Sequence, residues 1–288
     1  MSDAQIYQYE DCDTNGTLVL TTLNPEPGVN LRKMYLGCAS LEYANLYGAQ
    51  CSDADLSTAN LENATLVFAD LSNATLEDAN LITVDLTVAY LRNAQMSRAD
   101  LTGANLENAD LLNTYLRSST LTFANFTNAV MWGSDLTDAR CENAVFRGVI
   151  LGGAVISNAN LKNADLSEAD LYFADLSGAD LTSANLSGAN LQGVNLSNAN
   201  LTFADLTDVQ SGGIIGEPQA LPTNWDLING YLVNIDINDD GCVNGIDLSE
   251  IFMAWGKCSE CPADFNQDGV IDGNDLGIML NAWSCGGS

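Results

Sequence analysis

The chain has 288 residues, 47% of them hydrophobic, which is enough for a substantial buried core and for two domains of ordinary size. Thirty-eight acidic residues against nine basic ones give a net charge of −29, which repels nucleic acid and anionic membrane surfaces and favours cations or basic partners. The absence of histidine removes imidazole-based triads, acid–base pairs and metal sites, and no run of about 18 apolar residues offers a membrane-inserting segment.

Residues 1–33 show no regular period. The opening MSDAQIYQYEDCD has no basic segment leading into an apolar run, so no export signal is visible there. An Asn15-Gly16 turn signal and the strand-like stretch from Thr17 to Leu23 suit a cap over the first coil of a solenoid.

Residues 34–208 repeat every five residues. From Leu36 to Leu206 every fifth residue is an apolar centre or a near equivalent, and the residue two before it is nearly always Ala, as in Ala159, Leu161, Ala164, Leu166, Ala169 and Leu171. A five-residue step scatters the leucines around an α-helix, which turns about 100° per residue, and alternates them between the faces of a straight strand. Neither buries them. A chain that bends after each short extended piece aims every Ala and Leu at one axis, and stacked coils then supply the backbone partners. Phe126 and Phe146 are 20 apart, as are Thr114 and Ser134, which favours a 20-residue coil.

In that register Asp55, Asp70, Asp85, Asp100, Asp110, Asp135, Asp165, Asp170, Asp175, Asp180 and Asp205 sit at the outward position, and no two are 20 apart. Stacked carboxylates would repel, so the pattern predicts an acidic ladder diluted by uncharged residues such as Asn185. Cys51 and Cys141 fall on central positions as buried thiols. From 111 to 157 the pattern loosens, and Leu112, Val130, Trp132 and Ile150, extended by Tyr90 and Tyr172, predict one apolar side that could meet a partner, a sugar or a second copy of the chain as a homodimer. Arg92, Arg98, Arg117, Arg140 and Arg147 lie in this region and are expected to neutralise neighbouring acids.

Residues 209–235 are punctuated by Gly and Pro. Trp225, Leu227, Ile228, the Asn229-Gly230 turn pair, Tyr231 and Leu232 then predict a hairpin lid over the last coil.

Residues 236–288 carry the sharpest chemical signal. Asp236, Asn238, Asp240, Gly241, Asn244 and Asp247 recur 28 residues later as Asp264, Asn266, Asp268, Gly269, Asp272 and Asp275. They fill positions 1, 3, 5, 6, 9 and 12 of a calcium loop. Ca²⁺ takes six to eight hard oxygens at about 2.4 Å, the glycine permits the sharp turn, and position 7 offers a carbonyl, here that of Cys242 or Val270. The reading is two Ca²⁺ ions. Each loop runs into an i, i+3, i+4, i+7 pattern, Leu248, Ile251, Phe252, Trp255 and then Leu276, Met279, Leu280, Trp283, which predicts two helices able to pack together. Cys242, Cys258, Cys261 and Cys285 suggest disulfides and an oxidising compartment, with a Cys-x-x-Cys zinc site as the rival reading; Cys12 and Cys38 lie near the start.

The array resembles the pentapeptide repeat family, whose Ala-(Asp/Asn)-Leu-x-x pattern is written in Ala169-Asp170-Leu171, Ala179-Asp180-Leu181 and Ala199-Asn200-Leu201. The resemblance implies a mainly β fold, a right-handed quadrilateral parallel β-helix of nearly nine coils and, at about 4.8 Å per coil, a rod roughly 42 Å long. The terminal unit resembles a dockerin domain in a cysteine-containing variant, a small α-helical module with two F-hand calcium loops, because each loop is followed by one helix and ends in Asp. That resemblance implies secretion or surface attachment and a cohesin-like or other protein scaffold as partner, often among polysaccharide-degrading proteins. Positions 10 and 11, which read the partner in well-known dockerins and are often Ser-Thr, are here Gly245-Ile246 and Gly273-Asn274. The expectation is therefore a non-catalytic binding or spacer rod anchored through a calcium module, without direct nucleic acid binding or membrane insertion. The alternative is a DNA-mimic inhibitor of a topoisomerase such as gyrase, which the pentapeptide resemblance also implies.

Overall fold

The computed structural model describes residues 28–258 and 261–283. The expected N-terminal turn and strand, with Cys12 and Cys285, lie outside these residues.

One repeat shows how five residues satisfy their own backbone. Asp165 N–H donates to the Ala144 carbonyl of the preceding coil (2.9 Å), while Leu166 and Glu168 donate to Asn185 and Ser187 of the next (2.7 and 2.8 Å). Ala169 closes a turn on the Leu166 carbonyl (3.1 Å). Ser167 N–H is taken by the Asp165 carboxylate itself (3.0 Å), an Asx turn. The repeat's third turn residue, here Glu168, adopts a left-handed φ of 59°, and the same conformation recurs at this place in repeat after repeat, even at Val88 and Thr58. β-Branched residues rarely accept it. The stacked coils on either side hold it in place.

These turns give four repeats per coil. Parallel bridges join each outward residue to the one 20 later, from Asn30↔Gln50 to Asn200↔Ala220, making about nine coils. The coil geometry is present from Gly28, the first described residue, within the segment expected to form the cap, and the ladder runs past residue 208 to Ile215 and Ala220, within the segment expected to form the lid. The alanines and central residues converge on one continuous core. Phe126 and Phe146 stack at 4.9 Å with their rings 5° apart, as the 20-residue register requires.

Two strands close the far end. β1 (Trp225–Ile228) and β2 (Tyr231–Asn234) pair antiparallel, with Leu227 opposite Leu232 and Ile228 opposite Tyr231. Asn229 and Gly230 turn with φ of 52° and 83°, the left-handed values a tight hairpin needs. The hairpin has two buried faces. Trp225, Leu227 and Leu232 pack on the rod core, while Ile228, Tyr231 and Val233 pack on a second core with Val243, Ile251, Phe265, Ile271 and Met279. The lid is thus also the seat of the terminal module.

That module contains α1 (Gly245–Met253), β3 (Gly256–Lys257), β4 (Val270–Ile271) and α2 (Gly273–Asn281), with β3 and β4 antiparallel. The helices bury Ile251 and Met279. Phe252, Trp255, Leu280 and Trp283, expected in the helix–helix contact, are exposed. Each last turn reaches the shared core through Ile251 or Met279, while Phe252 and Leu280 fall on the outer flank of that turn and Trp255 and Trp283 lie beyond the helix ends.

Two substitutions probe the energetics of the coil. Ser134 Oγ is buried with no hydrogen-bond partner among the described residues, at a position where the repeat prefers Ala. Ser134→Ala should raise unfolding stability in denaturant by about 1 kcal/mol. Asn185 Nδ2 donates to the Asp165 carboxylate one coil below (3.2 Å), as Asn190 and Asn195 do to Asp170 and Asp175. Asn185→Asp should cost about 1–2 kcal/mol, partly restored by salt, because it stacks three carboxylates; an equal loss in Asn185→Ala would show that the donor matters and the charge does not.

Candidate functional site

The two terminal loops use the same bonds at equivalent places. At position 1, Asp236 accepts from Gly241 N–H (2.8 Å) and Asp264 from Gly269 N–H (2.9 Å). At position 3, Asn238 and Asn266 each accept from the N–H of position 5 at 2.9 Å. Asp240 and Asp268 accept from the N–H of Cys242 (3.0 Å) and Val270 (2.9 Å). At position 12, Asp247 accepts from Ile237 and Asn244 (both 2.9 Å), and Asp275 from Asn266 (3.2 Å) and Asp272 (2.9 Å). Gly241 and Gly269 take φ of 88° and 83°, which admits the turn at position 6.

Some of these residues have a second task. Asn244 and Asp272 are the N-caps of α1 and α2, and with Asp247 and Asp275 they form capping boxes. Capping alone asks for no carboxylate at positions 1 and 5. Asp236, Asp247 and Asp275 are buried and form no ion pair among the described residues. Buried charge without a counter-charge is costly, and the backbone N–H groups offset only part of it.

Among the described residues no three His, Cys, Asp or Glu side chains form a ready-made metal cluster. The exposed Asp240 and Asp268 are instead bonded to Asn238 and Asn266, at 3.2 and 3.0 Å. The donor set is nevertheless all oxygen: three carboxylates and two amides in the first loop, four carboxylates and one amide in the second, and a peptide carbonyl in each, the chemistry a hard divalent cation takes. Asp236 is further tied to the lid, where Asn224 Nδ2 donates to it at 3.1 Å.

Cys258 and Cys261 are bonded to each other in a disulfide, and Cys38 and Cys242 are each disulfide-bonded as well. Cys51 and Cys141 are free and buried. Burial, aided by the Asp70 charge, pushes the Cys51 thiol up to about 12, and burial pushes Cys141 higher still, so neither supplies a thiolate at neutral pH.

On the rod, Tyr90, Val130 and Ile150 share one ladder, Tyr90↔Asp110↔Val130↔Ile150. Leu112, Trp132 and Tyr172 occupy the adjoining turn column. Tyr90, Trp132, Ile150 and Tyr172 are exposed and Leu112 and Val130 half-buried. Asp110 interrupts the ladder, paired with Arg92 at 2.7 Å. Arg98, Arg117 and Arg147 also pair with acids of an adjacent coil, whereas Arg140 forms no ion pair among the described residues. Burial resists ionisation of Asp135, but hydrogen bonds from Thr137 and Arg117 outweigh it and hold its carboxyl below the ordinary range.

Two further aromatics belong to this edge. Phe173 meets Tyr172 edge-to-face at 4.4 Å, and Tyr231 reaches it from the hairpin. Sequence reasoning assigned Tyr231 to the lid and passed over Phe173. For Phe173 the available signal was Gly193, one coil above its own turn; Tyr231 lies on the hairpin, and no spacing in the sequence announces its contact with Gly212.

A family model described as pentapeptide repeats matches the chain in 8 copies, over residues 28–63, 64–103, 94–133, 134–171 and 174–209. The search of curated proteins returned no match. Among solved structures, HetL, a pentapeptide repeat protein involved in heterocyst differentiation regulation from the cyanobacterium Nostoc sp. strain PCC 7120, is similar at 28% identity, covering 73% of this chain and 93% of that one, with a TM-score of 0.39. A pentapeptide repeat protein from the thylakoid lumen of Arabidopsis thaliana shares 35% identity over 32% of this chain and 65% of its own, with a TM-score of 0.32. QnrB1, a plasmid-mediated fluoroquinolone resistance protein, shares 15% over 66% and 90%, with a TM-score of 0.28. The family match spans most of the chain and ends where the regular coils end: the chain belongs to the pentapeptide repeat family, and its four-sided coil is that family's right-handed quadrilateral β-helix.

Proposed function

We propose that the chain is a non-catalytic binding or spacer protein, whose β-helical rod is held on a protein scaffold by a dockerin-like module carrying two Ca²⁺ ions. The observation that carries this reading is the recurrence of one bonding framework in two loops 28 residues apart, around carboxylates that are buried without a counter-charge. Asp236, Asn238, Asp240, Asn244, Asp247 and the Cys242 carbonyl would hold one ion. Asp264, Asn266, Asp268, Asp272, Asp275 and the Val270 carbonyl would hold the other. Each ion would neutralise its buried acids and stiffen the turn that starts a helix.

The module also has a surface suited to a partner. Ile246, Phe252, Met253, Trp255, Leu280 and Trp283 are all exposed, a large apolar share for a unit this small. A cohesin-like scaffold is the partner class, and the disulfide-bonded cysteines support an oxidising, extracellular or cell-surface location.

The second reading, a DNA-mimic topoisomerase inhibitor, draws on the net charge of −29. Against it, the aspartates at the outward position of the rod spend a side-chain oxygen on their own turns, as Asp55, Asp100 and Asp175 illustrate. The carboxylates are spread over all four faces and are part of the fold's bonding.

Calcium titration of the full chain, followed by circular dichroism, calorimetry and thermal melting, tests the proposal. Calcium should bind at two sites and, at a free concentration a hundredfold above Kd, add about 2.7 kcal/mol per site to the stability of the module. Asp247→Asn with Asp275→Asn should abolish both effects and leave the rod's melting transition in place. Absence of calcium binding, or potent inhibition of DNA supercoiling by the chain, would overturn the reading.

A further inference from the structure

At one corner of the rod the turn column reads Leu112, Trp132, Gly152, Tyr172, Gln192, Gly212, each one coil above the last. Three rings in and beside this column lie on glycines. A Cβ added at Gly152 would sit 2.2 Å from the Trp132 ring, one at Gly193 2.7 Å from Phe173, and one at Gly212 2.9 Å from Tyr231. Gly152 lies outside the left-handed region, so its turn does not require glycine; the Trp132 ring does. Each of these three rings therefore rests against coil backbone, and Trp132 and Phe173 keep their outer surfaces open, 45% and 57% exposed.

We propose that this edge is a binding strip for an extended, uncharged β-1,4-linked polysaccharide chain. Trp132 and Tyr172 stand two coils apart along the column, and Tyr231, from the hairpin, packs against Gly212, two coils beyond Tyr172. At about 4.8 Å per coil the interval is about 10 Å, comparable to the two-sugar repeat of such a chain. Aromatic rings at that interval can stack on the apolar C–H faces of alternate sugars, while phenol hydroxyls take part in polar contacts.

Between Tyr172 and Tyr231 the strip deepens into a cavity of about 360 Å³, lined also by Phe173, Gln192 and Ser211. Among the described residues, none that lines it is charged, although the chain as a whole carries −29. An anionic ligand would be repelled by the surrounding rod and a cationic one would find no carboxylate in the cavity, so charge selects a neutral occupant. Gln192 is exposed between the two tyrosines and offers both an amide donor and an acceptor to sugar hydroxyls. The strip lies on the rod and the lid, so it stands whether or not the terminal loops bind calcium.

The test is calorimetric titration of the full chain with cellohexaose, with maltohexaose as the α-linked control, in buffer with calcium and again with chelator. Cellohexaose should bind and maltohexaose should not. Trp132→Ala and Tyr172→Ala should each weaken binding about tenfold with the β-helix circular dichroism spectrum unchanged, and Tyr43→Ala, an exposed aromatic off the strip, should have no effect. No binding of cellohexaose would overturn the proposal, as would binding that survives both strip substitutions. Concentration-dependent dimerisation abolished by Trp132→Ala would instead make the strip a contact between two copies of the chain.

Discussion

The fold depends on one N–H group per repeat that no neighbouring coil satisfies. Three of the five amides in the Asp165 repeat pair with adjacent coils and one closes the turn; the fifth, that of Ser167, is left to a side chain two residues earlier. Asp and Asn are the residues whose oxygen reaches that distance, which is why they dominate the outward position. Ser or Thr then follows two residues on, as at Thr87, Thr137 and Thr182, because its hydroxyl can donate to the same oxygen. Where the outward residue is Val130 or Ile150, the side-chain acceptor is lost, and the apolar side emerges at those places.

That constraint changes the meaning of the chain's acidity. The outward aspartates are turn-closing groups first, and the Asn above each of Asp165, Asp170 and Asp175 donates to it. The alternation reads as charge dilution in sequence and is a hydrogen-bonded ladder in space. The arginine pairs add little, being solvent-exposed. Shape and rigidity come from the stacked backbone and the Ala/Leu core, and the functional surfaces are departures from the repeat: the aromatic edge and the terminal module.

Much of this was legible in sequence for a simple reason. A solenoid converts spacing along the chain directly into neighbourhood, so Phe126 and Phe146, or Trp132 and Tyr172, could be placed without a structure. The calcium-type loops were legible because their residue types and glycine recur at fixed offsets. The second face of the hairpin was not, since alternation in β2 shows that Leu232 and Val233 point apart but not that both sides are covered. Nor was the exposure of Phe252, Trp255, Leu280 and Trp283, because periodicity marks an apolar stripe without saying where the helix stops or which flank of the stripe is covered. Phe173 and Tyr231 joined the edge through glycines on other coils, a contact visible only once the register is built.

Rod, lid and module therefore form a continuous assembly: Leu232 faces the coils, Val233 faces the module, and Asn224 reaches Asp236 in the first loop. The direct measurement of that coupling is amide hydrogen exchange of the full chain with and without calcium. Calcium is expected to raise protection in α1 and α2 and also in β1, β2 and at Ile214, whose N–H bonds to the hairpin's Gly230. Protection confined to residues 236–283, with the hairpin and last coil unchanged, would contradict a module coupled to the rod through its lid.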